Sequence, residues 1–108
     1  MVAVTATDAA DRPYSAANRG AYITLAAPGV DLWVPDDASG HYVSGTSFAA
    51  AVATAGSAWL LAQNPHLDAQ ALVRRLCRDA RDLGAPGSDP VFGCGLIQIG
   101  ASLREERR

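Results

Sequence analysis

Apolar and polar positions change their rhythm several times along the chain, and each change predicts an element. Val2–Thr7 is short, apolar and rich in β-branched residues, which predicts a strand. It lacks the strict alternation of a one-sided strand, so burial on both faces is expected, as in a parallel sheet. Asp8–Gly20 is polar and holds Pro13, Asn18 and Gly20, which predicts a loop. Tyr22–Ala26 predicts a second short strand, ended by a turn at Ala27-Pro28-Gly29. Asp31–Gly40, with Pro35 and further acids, reads as loop, and His41–Ser44 as a last short strand. Phe48–Gln63 then runs without a charge and is dominated by alanine, the best helix former. Asn64-Pro65 stops that helix, because proline disfavours α conformation in the residue before it. A helix with no charged face is expected to be buried all round.

The second half has a different pattern. Asp68 is a good N-cap for a helix over Ala69–Arg81. Leu72, Val73, Leu76, Cys77 and Ala80 fall on one stripe, with Arg74, Arg75, Arg78 and Asp79 mainly on the other side. Gly84, Pro86 and Gly87 end it. Val91–Ile99 predicts a tight closing hairpin around Gly93-Cys94-Gly95, and the charged tail Arg104–Arg108 is expected to fray. The fold class expected is α/β.

Composition sharpens this picture only in places. The 108 residues suit one small domain or part of a larger one. Apolar content of 49% and charged content of 19% exclude intrinsic disorder as the default. The net charge of −2 argues against a nucleic-acid partner, which needs a clustered basic excess. Met1–Asp8 has no basic segment followed by an apolar one, so no signal peptide is expected there. Val43–Gln63 is uncharged but carries Ser44, Thr46, Ser47, Thr54 and Ser57, so a membrane span is not expected. Cys77 and Cys94 are equally compatible with a disulfide and with two buried thiols. No cofactor or metal ligand set is expected.

Candidate chemistry concentrates at Ser44-Gly45-Thr46-Ser47-Phe48-Ala49-Ala50. A serine opening a buried helix sits beside unpaired backbone N–H groups and the positive end of the dipole. Its own N–H can help hold an oxyanion. Gly45 removes a side chain where a substrate backbone must approach. Read on these residues alone, a simple N-cap role for Ser47 or Thr46 is favoured over a nucleophile. The pattern also departs from the G-x-S-x-G nucleophile elbow, since Ala49 stands where that motif has its second glycine.

The heptad closely resembles the nucleophile motif of subtilisin-like serine proteases, the subtilases. Val2-Ala3-Val4-Thr5-Ala6-Thr7-Asp8 resembles the family's strand leading into a polar loop. Tyr14-Ser15 through Asn18-Arg19-Gly20 is similar to the segment that follows. Leu25-Ala26-Ala27-Pro28-Gly29-Val30 resembles the Ala-Pro-Gly turn. Ala69–Leu83 and Phe92-Gly93-Cys94-Gly95-Leu96-Ile97 resemble the late helix and the Gly-x-Gly hairpin, in the same order and spacing. The resemblance covers residues 1–103 and implies the C-terminal third of a subtilisin-like parallel-sheet three-layer fold, with 104–108 as a charged tail. Ala51 departs from the family, which commonly has proline early in this helix.

The resemblance implies a serine endopeptidase with an Asp–His–Ser triad in that chain order. It assigns Ser47 as nucleophile and backbone oxyanion donor, with Gly45 and Thr46 lining the substrate cleft. Only 46 residues precede Ser47, and none resembles the family's Asp-Ser/Thr-Gly or His-Gly-Thr motifs or its oxyanion asparagine. His41 is not expected to replace the base: six extended residues span up to about 20 Å, so reaching Ser47 needs a sharp fold-back. His66 lies past the far end of the helix, about 24 Å away. Asp36 and Asp37 read as a solvated loop. The isolated chain is therefore expected to be inactive. A non-catalytic complementing module, or a truncated gene product, is the alternative. The implied partner is a peptide or protein substrate, with no nucleic acid and no membrane, and with self-association possible through an exposed sheet edge. The resemblance implies a secreted or extracytoplasmic parent protein.

Overall fold

The computed structural model describes the backbone of residues 2–106 and the side chains of residues 2–102. In order the elements are β1 (Ala3–Thr7), β2 (Ile23–Pro28), β3 (Leu32–Val34), β4 (His41–Val43), α1 (Thr46–Gln63), α2 (Ala69–Asp79) and α3 (Ile99–Glu106). β1 and β2 pair in parallel, with Val4 opposite Leu25 and Thr7 opposite Pro28. The expected turn at Ala27-Pro28 begins later than predicted. Proline ends β2 because Gly29, not Pro28, supplies the N–H that bonds Thr7, at 3.1 Å.

Leu96 lies along the other side of β2. Ala26 donates to the Gly95 carbonyl at 2.8 Å, and Ile97 donates to the Ala26 carbonyl at 2.9 Å, a parallel bridge. Leu96 and Arg81 also exchange both backbone bonds at 2.9 Å, in antiparallel sense. The closing hairpin is thus wider than the sequence predicts. Its arms meet at Arg81 and Leu96, and Asp89 and Gly93 close a tight loop inside it. Gly95 allows this approach: its φ is +125°, and a side chain there would collide with the Arg81 carbonyl oxygen.

One apolar cluster joins the sheet to the helices: Ala6, Leu25 and Ala27 from the strands meet Ala49, Ala53 and Leu60 of α1, Leu76 of α2 and Ile97. Burying Leu25 and Leu60 contributes about 1.5–3 kcal/mol each. A thinner cluster of Ala26, Phe92 and Leu96 covers the opposite face. Cys77 of α2 and Cys94 are joined in a disulfide with Cα atoms 5.5 Å apart, which settles the pairing left open by the sequence.

Three other expectations change. α1 is not buried all round: Ala49, Ala53, Gly56 and Leu60 form one buried stripe, while Ala51, Ala55, Ala58, Trp59 and Ala62 are exposed. The segment read as a loop after Asp31 contains β3, which pairs antiparallel with β4. The expected fraying tail begins inside a helix, since α3 runs to Glu106; residues 107–108 lie outside the described residues. Among the described residues no helix is long and apolar enough to cross a membrane.

Candidate active site

The end of β2 seats the start of α1. Gly29 is buried, and its carbonyl accepts the Gly45 N–H at 2.8 Å. An added Cβ at Gly29 would lie 2.8 Å from the Ala6 Cβ, 2.9 Å from the Ala49 Cβ and 2.9 Å from the Gly45 carbonyl oxygen. Only glycine lets strand end, turn and helix approach so closely. Two residues on, the Asp31 N–H donates to the Ser44 hydroxyl at 2.9 Å.

Gly45 is the N-cap of α1 and provides no side-chain cap. Its carbonyl accepts from Phe48 at 3.2 Å and from Ala49 at 3.4 Å. The N–H groups of Thr46 and Ser47 have no backbone acceptor among the described residues. Thr46 and Ser47 are the first and second helical residues, so the N-cap reading falls on neither. The Ser47 side chain is exposed, and no hydrogen bond engages its hydroxyl among the described residues. No acidic residue occupies the first turn, so nothing there neutralises the positive helix end.

A Cβ at Gly45 would stand 3.7 Å from the Ser47 Oγ and 3.4 Å from the Phe48 ring. Thr46 is half-buried and lines a pocket of about 170 Å³ with Ala3, Thr5, Asn18 and Tyr22. An exposed hydroxyl, free N–H groups and a positive helix end suit attack on a carbonyl and stabilisation of the resulting anion.

The histidines and acids are placed elsewhere. His41 Nδ1 lies 3.1 Å from Asp36 Oδ2, on the exposed β3–β4 hairpin. The N–H groups of Ser39 and Ala38 and the His41 ring hold the Asp36 carboxyl below its ordinary value. Asp36 thus organises its own loop. Asp37 and His66 are exposed. Among the described residues no cluster of three or more His, Cys, Asp or Glu could hold a metal. The contacts of Gly29 and of the Ser44 hydroxyl are not legible in the sequence, because their partners lie 16 and 13 residues away.

The profile of the subtilase family, Peptidase_S8, matches residues 1–95. The chain belongs to the subtilase family. Its relatives include the autotransporter lipoprotein NalP of Neisseria meningitidis serogroup B, 38% identical over 61 residues, which are 56% of this chain and 6% of that protein. Among solved subtilase structures, MycP1 from Mycobacterium smegmatis superposes with a TM-score of 0.84 at 25% identity, covering 95% of this chain and 29% of that one. Fervidolysin from Fervidobacterium pennivorans, a keratinolytic enzyme related to subtilisin, gives 0.81 at 26% identity, with 95% and 18% covered. This subtilase chain therefore has the α/β fold of these proteases and spans less than a third of the length of each. The parallel β1–β2 pair, the helix behind it and the glycine-hinged closing arm are its share of that fold.

Proposed function

We propose that this chain is the nucleophile-bearing segment of a serine endopeptidase, its residues 1–103 forming the C-terminal part of a catalytic domain completed by an upstream part. The observation that carries this reading is the exposed, unpartnered Ser47 hydroxyl at the open N-terminus of α1, above bare Gly45. Ser47 Oγ attacks the scissile carbonyl while a histidine outside the chain takes its proton. The C–O bond to serine forms, and the carbonyl π electrons move onto oxygen. The Ser47 N–H donates to that oxyanion. The histidine returns the proton to the leaving amine, the C–N bond breaks, and water later releases the acyl group. Gly45 and Thr46 line the cleft beside the reacting carbon.

The substrate is a peptide or protein, in keeping with the proteases that the chain resembles. An extracytoplasmic setting fits the Cys77–Cys94 disulfide and the autotransporter relative. In a polypeptide carrying this segment with the triad aspartate and histidine, a fluorophosphonate probe is expected to label Ser47. Ser47→Ala should abolish both labelling and casein hydrolysis; labelling that survives the substitution overturns the reading. The 108-residue chain alone should show no casein turnover.

A further inference from the structure

Among the described residues no hydrogen bond fixes the Ser47 side chain, so its position is set through the backbone of the turn that precedes it. That turn is held at two adjacent residues by two residues of one loop. Gly45 donates its N–H to the Gly29 carbonyl at 2.8 Å, and Ser44 accepts the Asp31 N–H at 2.9 Å. Gly29 is in turn tied to β1 through its own N–H on the Thr7 carbonyl, at 3.1 Å. Asp31 adopts a left-handed conformation, φ +56°, which aspartate tolerates better than most residues. Asp31 and Ser44 also stand just outside the register pair Leu32–Val43, at the base of the β3–β4 hairpin.

We infer that Ser44 and Gly29 are positioning residues of the nucleophile turn, a clamp that sets where Ser47 stands relative to the sheet. The inference rests on the proposal that Ser47 is the nucleophile. One tie would fix the distance of the turn from β2 and leave it free to swing. A second tie one residue away removes the rotation. Ser47 follows within the first turn of α1, so a shift at Gly45 carries directly to its hydroxyl and N–H. Acyl transfer is sensitive to such shifts, since a misplacement of about 1 Å costs on the order of a hundredfold in rate.

The test uses the full 108-residue chain, labelled with nitrogen-15 and kept well below the concentration at which it associates, and does not depend on activity. Ser44→Ala removes only the acceptor. Amide exchange at Asp31 and Gly45 should then rise about fivefold to tenfold, the Thr46 and Ser47 amide signals should shift, and the melting temperature should barely move. Ser44→Thr, which keeps a hydroxyl, should restore both. Acceleration confined to Asp31, with Gly45 and Ser47 unmoved, overturns the clamp, as does failure of threonine to rescue. Gly29→Ala is the more drastic probe, and if it does not fold the Ser44 pair still decides. In the triad-bearing polypeptide, Ser44→Ala should lower kcat about tenfold at nearly constant KM. Ser47 labelling lost in the unsubstituted protein would remove the catalytic reading without touching the amide result.

Discussion

At the scale of single residues, the serine and the aspartate that open the two long helices have opposite roles. Asp68 caps α2, its carboxylate accepting the Ala71 N–H at 2.7 Å. Ser47 caps nothing and faces solvent. Asp68→Ala should therefore cost about 1 kcal/mol in denaturant unfolding. Ser47→Ala should change it by less than about 0.5 kcal/mol. A loss near that of Asp68→Ala would mean that Ser47 is structural. The sequence presented both residues as cap candidates, and propensity could not separate them. What separates them is backbone geometry, because Gly45 takes the cap position and leaves the serine inside the first turn. The same limit applied to Cys77 and Cys94, whose spacing allowed both states until α2 and the closing arm met.

At the scale of elements, strong local patterns were legible and weak ones were not. The alanine run and the apolar stripe opposite the arginines gave α1 and α2 to within two residues at one end of each, because propensity and periodicity agree there. β3 was invisible. Three residues carry no period, and Leu32-Trp33-Val34 becomes a strand only through β4, where the Trp33 and Tyr42 rings meet edge to face at 5.1 Å. The contact between α2 and α3 was equally hidden: the Ser102 hydroxyl, buried under the fold, donates to Asp79 Oδ2 at 2.8 Å. Burial alone would raise the Asp79 carboxyl, but Arg78, Ser102 and Arg75 outweigh it and hold it below its ordinary value of 3.8. A carboxyl depressed in the folded state adds stability above that value, and the addition is lost as pH falls through the folded value. The urea midpoint should thus fall between about pH 6 and about pH 3 for the unsubstituted chain, and fall less for Ser102→Ala. At neutral pH, Ser102→Ala should cost about 1.5–3 kcal/mol, as expected for a bond to a charged acceptor. Equal acid sensitivity in both proteins would rule out the Asp79–Ser102 link.

At the scale of the whole molecule, the sequence pointed correctly to a subtilase segment but misjudged what surrounds α1. An uncharged helix was expected to be enclosed, and here half of it faces solvent, with Trp59 58% exposed beside Ala55, Ala58 and Ala62. The pattern reports the environment that the residues suit, whereas the layers actually present depend on the other elements of the chain. β1 adds a second unsatisfied surface. Its Ala6 carbonyl accepts the Tyr14 N–H at 2.9 Å, so that end of the edge is covered, but Val2 at the other end is exposed. No charge or proline guards this stretch, and an unguarded edge beside an apolar helix face is a template for association. The chain should therefore associate as concentration rises toward about 100 µM, giving a light-scattering mass above that of one chain. Glutamate at both Ala55 and Trp59 should reverse this with little loss of helix, since glutamate is a good helix former and both sites are exposed. A sharp monomeric peak with a cooperative melt for the unsubstituted chain would show that neither surface is sticky. Association that persists after both substitutions would place the contact at the β1 edge, where Val2→Lys, at an exposed position, is the next variant to measure.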